Sequence, residues 1–520
     1  MVDVSMKKTI ILCSPTSEDM RSSLGKNRTI FFPPLGLLLV AQSLKNAGHE
    51  VLVFDGNFDI DYKKKIFNCL SEHEDSLLFV GFYLTLLQVK DMIDIAKSVK
   101  AINSDIKIIV GGPFPTVFPK ITIESVLVDI AVIGDGAKVV VQMAGCGLNK
   151  ESLKQIPNIC FKYKGKVIIN QRTLRDELNE HTRINYLDFI DIEDYVQKFR
   201  VYLPIHDRTI KRTLPILTGL GCSYKCSFCE NALLNHKHIS LSAEDIFEQM
   251  RFYNDKYNID AFAFFDEDFL FDKKRILKLV ELIDKSSLGI KWGSQCRVNY
   301  FNDGYVNADV LKQLERSGCV RFTMGVESGS PSMLKKLRKG IKPDQVIRAA
   351  EYGKDSSIVF SYSLIVGLPG ETIDDIRMSV RLMDNAMSIK KNSNVSAVHQ
   401  YFAYPETPLS IEMQRQLGIN PLEDIGLGQF AEFDLNAYNK KVNPVNKDYR
   451  KDCLIFHSLK SKESRRPFLL NIKSVFHVLF RFIGRIRTSV NCYHFPIEIY
   501  LFNWVKKLSN INYLKSSSRN

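Results

Sequence analysis

Three cysteines within eight residues constrain this chain more than any other feature. They are Cys222, Cys226 and Cys229 in the run Gly221-Cys222-Ser223-Tyr224-Lys225-Cys226-Ser227-Phe228-Cys229. The spacing C-x-x-x-C-x-x-C lets one short loop present three thiolates to a single iron-sulfur cluster. Four-iron clusters are ordinarily held by four cysteines, so three leave one iron open to a substrate or cofactor, and such a cluster is a reactive centre. The competing readings are a structural zinc loop and separate core cysteines, since free Cys is commonly buried. A structural zinc takes four ligands, and the nearest histidines, His236 and His238, lie past a turn.

At 520 residues the chain has room for two or three domains, and its 45% hydrophobic and 25% charged residues are ordinary globular usage. Residues 1–150 alternate short apolar runs with helical patterns, as a doubly wound parallel α/β sheet does. Strands are expected at Thr9 to Cys13, Val51 to Phe54, Leu77 to Tyr83, Lys107 to Val110 and Ile130 to Ile133. A helix starting at Pro34-Leu35-Gly36 is closed by Gly48, the residue type favoured just past a helix end. Ligands bind such sheets at the carboxyl ends of the strands, which here carry Thr85, Gly111-Gly112-Pro113 and Gly134-Asp135-Gly136.

Lys164-Gly165 between two apolar runs signals a hairpin, and residues 151–212 are expected to hold this hairpin and a linker. From Thr213 the alternation resumes, with strands near Leu214 to Thr218, Ala261 to Phe265, Lys291 to Val298, Arg321 to Val326, Val359 to Val366 and Ser396 to Phe402. Ser242 three before Asp245 opens the helix after the cysteine loop with an approximate capping box. Residues 213–435 therefore read as a second α/β domain and 436–520 as a helical extension.

The cysteine run, with Phe228 directly before its third cysteine, resembles the signature of the radical S-adenosylmethionine (SAM) superfamily. The resemblance implies a partial (β/α)6 barrel whose site lies at the carboxyl ends of its strands. It also implies a 4Fe-4S cluster held by Cys222, Cys226 and Cys229 that binds SAM at the open iron and cleaves it reductively to a 5'-deoxyadenosyl radical. It further implies SAM contacts from Phe228, from Asp266 and Glu267 toward the ammonium, and from Arg297 toward the carboxylate. Glu327 and Ser328 match the segment near the ribose, and Gly367 the turn on the adenine side. The later run Tyr404-Pro405-Glu406-Thr407-Pro408-Leu409 departs from the family's proline-glycine-threonine-proline-leucine at Glu406.

The first 150 residues resemble the cobalamin-binding domain that precedes many such barrels, which implies corrin contacts at Thr85, Gly111, Gly112, Gly134 and Gly136. The pattern D-x-H-x-x-G is absent, implying a cobalamin whose lower face takes no histidine. The carriers of the resemblance depart from the family at Phe114 and at Ala137-Lys138.

Net charge of +13 sits mostly in the tail. From Lys441 to Asn520 there are sixteen Lys or Arg against four Asp or Glu, leaving the body nearly neutral. Ile472, Val475, Phe476, Leu479, Ile483 and Ile486 share one helical face, and Lys473, His477, Arg481 and Arg485 another. Such a helix packs on the barrel with its charges in water, or lies on an anionic membrane surface as a peripheral contact. Nucleic acid is not an expected partner, because no recognition motif accompanies the charge.

Eleven mostly isolated cysteines, a charged amino terminus and no run long enough to span a bilayer point to a reduced, cytoplasmic protein. The expected function is cobalamin-dependent radical SAM methylation of an unactivated carbon in a small-molecule or lipid-linked substrate, served by an external electron donor. Two alternatives stand beside it. One is a radical SAM enzyme that cyclises, oxidises or rearranges with a degenerate or non-methylating cobalamin domain; the other is an iron-sulfur sensor or nucleic-acid-binding module.

Overall fold

In the computed structural model the described residues are 8–16, 32–59, 61–173, 183–196, 209–234, 238–286 and 288–418. They fall into two compact units. The first holds the described parts of 8–295, 316–320 and 404–418, and the second holds 296–315 and 321–403. The basic tail expected over 436–520, residues 174–182 and 197–208 of the expected linker, and His236 lie outside the described residues.

The first unit opens with β1 (Thr9–Ser14), α1 (Leu35–Asn46), β2 (Glu50–Asp55), α2 (Tyr62–Glu72), β3 (Leu77–Tyr83) and α3 (Val89–Ile102). It continues with β4 (Lys107–Gly111), β5 (Ile130–Val132), α4 (Ala137–Gly145), β6 (Ile159–Tyr163) and β7 (Lys166–Ile169). The strand order is β2-β1-β3-β4-β5-β6-β7, with β1 to β5 parallel. Both faces are covered, which is why these strands read as continuous apolar runs. Ile10, Leu12, Phe79 and Ile109 pack on one face with Leu37 and Ala41 of α1 and Val140 and Met143 of α4. Ile11, Cys13, Val80 and Ile108 pack on the other with Ile66 of α2 and Met92 and Ala96 of α3. Each such aliphatic side chain contributes about 1.5–3 kcal/mol by leaving water.

The hairpin is part of this sheet and not a free connection. β6 pairs antiparallel with β5, Ile130 facing Phe161, so the sheet widens to seven strands. Order reverses at β1, which has β2 on one side and β3 on the other, and a crevice outside the strand ends forms at such a switch point.

Further along the first unit are β8 (Thr213–Ile216), β9 (Gly219–Leu220), β10 (Ile239–Ser240), α5 (Ala243–Tyr257), β11 (Ala261–Phe264), α6 (Lys273–Lys285) and β12 (Lys291–Cys296). β11 pairs in parallel with both β8 and β12. Phe264 and Phe269 stack with 4.1 Å between their rings, and Trp292 meets Phe264 edge-on and Phe269 at a tilt. α5 begins as expected, Ser242 Oγ accepting the Asp245 N–H at 3.0 Å.

The second unit contains β13 (Cys319–Glu327), α7 (Pro343–Gly353), β14 (Val359–Val366), α8 (Ile373–Ile389) and β15 (Ser393–Gln400). Its strands are parallel in the order β13, β14, β15. β15 starts three residues before its expected position because Ser393 pairs with Phe360, so backbone register and not side-chain polarity sets its first residue. Each unit thus contributes three parallel strands alternating with helices, the α/β pattern expected of the barrel. Among the described residues no helix is long and apolar enough to cross a membrane.

Candidate active site

The three cysteines lie on the loop between β9 and β10, whose antiparallel pairing closes the loop at its base through Leu220 and Ile239. Three further contacts hold the loop from outside. Gly221 N–H donates to Glu267 Oε2 at 3.0 Å, and His238 Nδ1 stands 2.9 Å from Gly221 O. Leu409 N–H, at the start of α9 (Pro408–Leu417), donates to Ser227 O at 2.9 Å. Cys226 is buried, Cys222, Phe228 and Cys229 are half-buried, and none of the three cysteines is in a disulfide. Three reduced thiols on one clamped loop are a donor set that fits an iron-sulfur cluster. Among the described residues no three His, Cys, Asp or Glu side chains converge as ligands of a single metal ion.

The acidic triplet after β11 serves this loop. Asp266, fully buried, accepts from Thr218 N at 2.7 Å and Thr218 Oγ1 at 2.7 Å, with Arg275 Nη2 3.9 Å away. Burial pushes its carboxyl up, and Arg275 and Thr218 pull it part of the way back. Asp266 is therefore engaged inside the barrel wall, which differs from the role of SAM ammonium partner that the resemblance implies. Glu267, also raised by burial, holds the residue before Cys222.

Glu406 resolves the departure noted in the sequence. It adopts φ +66°, the left-handed conformation that the family's glycine would take at no cost. A side chain there costs about 1–2 kcal/mol, and the turn it makes delivers Leu409 to Ser227.

Residues expected to face SAM also meet in the second unit. Arg297 is buried, its Nε donating to Asn299 Oδ1 at 3.1 Å and its Nη2 to the carbonyl of Lys339. Glu327 ends β13 at φ +65° and accepts from Lys339 Nζ at 2.7 Å. Ser328, fully buried, turns instead toward α8, its Oγ 3.3 Å from Ser379 Oγ. Gly367, at φ +75°, donates its N–H to Glu371 Oε2 at 2.7 Å, which closes the Gly367-Leu368-Pro369-Gly370 turn. Lys339 and Glu371 were not singled out from sequence. Glu371 stands in the turn that was, and Lys339 carries no signal beyond preceding Gly340.

The expected corrin residues line the strand ends of the amino-terminal sheet. Thr85 caps the turn after β3, its N–H donating to Gln88 Oε1 at 3.0 Å, and Gln88 Nε2 reaches Pro15 O at 2.6 Å. Gly112 has φ +103°, and a Cβ there would sit 3.0 Å from Leu84 O and 3.1 Å from Tyr83. Thr116 joins both glycine turns, donating to Gly112 O at 2.7 Å and accepting from Gly134 N at 2.8 Å. Gly111 closes β4, and Gly136 precedes α4. These glycine-bearing turns at the carboxyl ends of adjacent parallel strands fit a flat cofactor laid on the backbone.

The cysteine loop and the corrin-side turns meet within the first unit. Glu230, directly after Cys229, lines a narrow cleft with Leu86, Pro113, Phe114, Leu233 and Tyr404. Burial raises its carboxyl. Burial pushes the Tyr83 phenol, at the end of β3, up to about 12, with the Glu230 charge adding to it.

Residues 216–383 match the Radical SAM superfamily and residues 23–144 the B12 binding domain. The chain is 27% identical over 385 residues to an uncharacterized methyltransferase of Pyrococcus horikoshii, covering 73% of this chain and 78% of that one. It is 22% identical over 403 residues to the anaerobic magnesium-protoporphyrin IX monomethyl ester cyclase of Rubrivivax gelatinosus, covering 74% and 69%. The fold is similar to that of the radical SAM methyltransferase TsrM from Kitasatospora setae with cobalamin and a 4Fe-4S cluster bound. That match has TM-score 0.66 at 17% identity and covers 82% of this chain and 84% of that one. It is also similar to the cobalamin-dependent SAM radical enzyme OxsB, at TM-score 0.63 and 17% identity, covering 97% and 76%. The chain therefore carries a B12-binding domain over residues 23–144 in front of a radical SAM domain over residues 216–383.

Proposed function

We propose that this chain is a cobalamin-dependent radical SAM methyltransferase that places a methyl group on an unactivated carbon of a small molecule. The observation that carries this reading is the meeting of the cysteine loop and the corrin-type strand ends in one compact unit. Glu230, next to the third cysteine, lines one cleft with Leu86 and with Pro113 and Phe114 of the helix after Gly112, at the corrin-type strand ends. When bound, the cluster with SAM supplies a carbon-centred radical, and cobalamin supplies a methyl carrier.

In this reading Cys222, Cys226 and Cys229 hold the cluster, while Glu267, His238 and Leu409 fix the loop that carries them. Arg297 and Glu327 shape the SAM side, and Thr85, Gly111, Gly112, Gly134 and Gly136 leave the backbone open to the corrin. Several relatives carry methyltransferase names, and TsrM has been described with a tryptophan substrate. A small-molecule acceptor and an external electron donor follow from that likeness. A lipid-linked acceptor and membrane contact rest on the tail alone.

The cyclase relative favours a second reading, radical chemistry without methyl transfer on the same scaffold. Methyl-labelled SAM separates the two. Reconstituted anaerobically and supplied with hydroxocobalamin, reductant and a small-molecule extract of its host, a methyltransferase moves label into an extract component. Deoxyadenosine formation with no labelled product supports the second reading.

A further inference from the structure

Arg297 and Glu327, the two charged residues assigned to the SAM side of the second unit, are tied to one residue that neither family resemblance nor motif singles out. Lys339 Nζ donates to Glu327 Oε1 at 2.7 Å, and the Lys339 carbonyl accepts from Arg297 Nη2. All three side chains are buried: Arg297 is 6% exposed, Glu327 7% and Lys339 7%.

The pair packs closely on β13, the strand of Glu327. A Cβ on Gly325 would run into Glu327 Oε1 and lie 2.9 Å from Lys339 Nζ, so the pair lies directly against the backbone of the strand at this glycine. Glu327 is left-handed at φ +65°, a conformation that a non-glycine residue keeps only where its surroundings over-determine it. Lys339 is itself set between Arg338 at φ +48° and Gly340 at φ +69°, at the end of the turn after the helix Pro331–Lys336. A residue that spends its backbone on the arginine and its side chain on the glutamate fixes the position of one relative to the other.

We infer that Lys339 is the positioning residue of the SAM site, holding Glu327 and Arg297 in one arrangement without touching the chemistry. This rests on the reading above that Arg297 and Glu327 shape that site. Loss of the ammonium leaves the Glu327 carboxylate buried without its partner, and such a group moves toward water or takes a proton. Either response takes the carboxylate away from where SAM would meet it. Arginine in place of Lys339 keeps the charge and changes the geometry of the pair.

The test is the dissociation constant for SAM, measured by anaerobic equilibrium dialysis on cluster-loaded protein, with a melting curve for each variant. Lys339→Met is expected to weaken SAM binding about ten- to a hundredfold, and Lys339→Arg to recover most of that loss. Iron content stays at the wild-type level in both, because the cysteine loop is not part of the network. Unchanged SAM affinity in a folded Lys339→Met protein, with only its melting temperature lowered, overturns the inference. Should Lys339→Met not fold, Lys339→Arg decides alone: a severalfold loss of affinity is expected, and wild-type affinity overturns it. Wild-type protein that carries a full cluster and fails to bind SAM refutes the underlying reading of the site, an outcome distinct from either of these.

Discussion

Glu267 Oε2 accepts the backbone N–H of Gly221 at 3.0 Å, so a carboxylate at the end of β11 holds the residue directly before the first cysteine of the loop. The cysteines are placed by a neighbouring strand as well as by their own spacing.

Glu267→Ala removes that acceptor, and a hydrogen bond to a charged group is worth about 1.5–3 kcal/mol. The variant is expected to retain fewer iron atoms per chain after reconstitution and to lose them faster on exposure to a chelator. Glu267→Gln keeps an acceptor oxygen and should stay close to wild type. Equal iron retention in the alanine variant would show that the bond does not anchor the loop.

Glu406 pays a conformational cost that glycine would not. Glu406→Gly should stabilise the protein by a few tenths to about 1 kcal/mol, the left-handed cost being partly offset by the greater freedom of glycine in the unfolded chain. Chemical denaturation read at the midpoint checks this, and a clear loss of stability would show that the carboxylate of Glu406 makes a contact worth more than the strain.

Asp55 at the end of β2 is buried, and its Oδ2 accepts from the Tyr195 hydroxyl at 2.8 Å. Burial raises its carboxyl to about 6, against which the bonds from Tyr195 and Asn57 act only in part. The folded state therefore holds a proton that the unfolded chain has released between roughly pH 4 and 6. The Asp55 contribution to stability is fully present below the lower of these values and is lost as pH rises through the upper one. Asp55→Asn should flatten stability across that window; a slope unchanged from wild type would contradict the raised carboxyl.

Gly112→Ala brings a Cβ within 3.0 Å of Leu84 O at φ +103°. Strain of this kind costs about 1–3 kcal/mol, and the turn must shift to relieve it. The variant should bind less hydroxocobalamin, read from the corrin absorbance that survives gel filtration, while its iron content is unaffected. Corrin retention equal to wild type would remove the glycine turn from the cofactor site.

Much of the fold is readable in the sequence for a physical reason. Strands β1 to β5 are covered on both faces, so each is an apolar run such as Ile10-Ile11-Leu12-Cys13 that no polar position interrupts. The cysteine loop is readable because ligand spacing is local. The pairing of Ile130 with Phe161 is not, since it joins residues whose sequence carries no mark of each other. Nor is the engagement of Asp266 by Thr218, or of Arg297 by Lys339. A carboxylate or guanidinium looks equally available for a ligand whether or not the chain already satisfies it, and only its position in space decides. Glu406 lies between these cases: the departure from glycine was visible, and the left-handed backbone behind it was not.

The measurement that tests the central claim most directly is anaerobic reconstitution of the full chain, followed by assay with SAM, reductant and hydroxocobalamin. Bound corrin is read from its visible spectrum and 5'-deoxyadenosine by mass, with Cys226→Ala alongside. The account predicts both signals in the wild type, and retained corrin with no 5'-deoxyadenosine in the variant. Wild-type protein with an intact cluster that binds no corrin and forms no 5'-deoxyadenosine would contradict it.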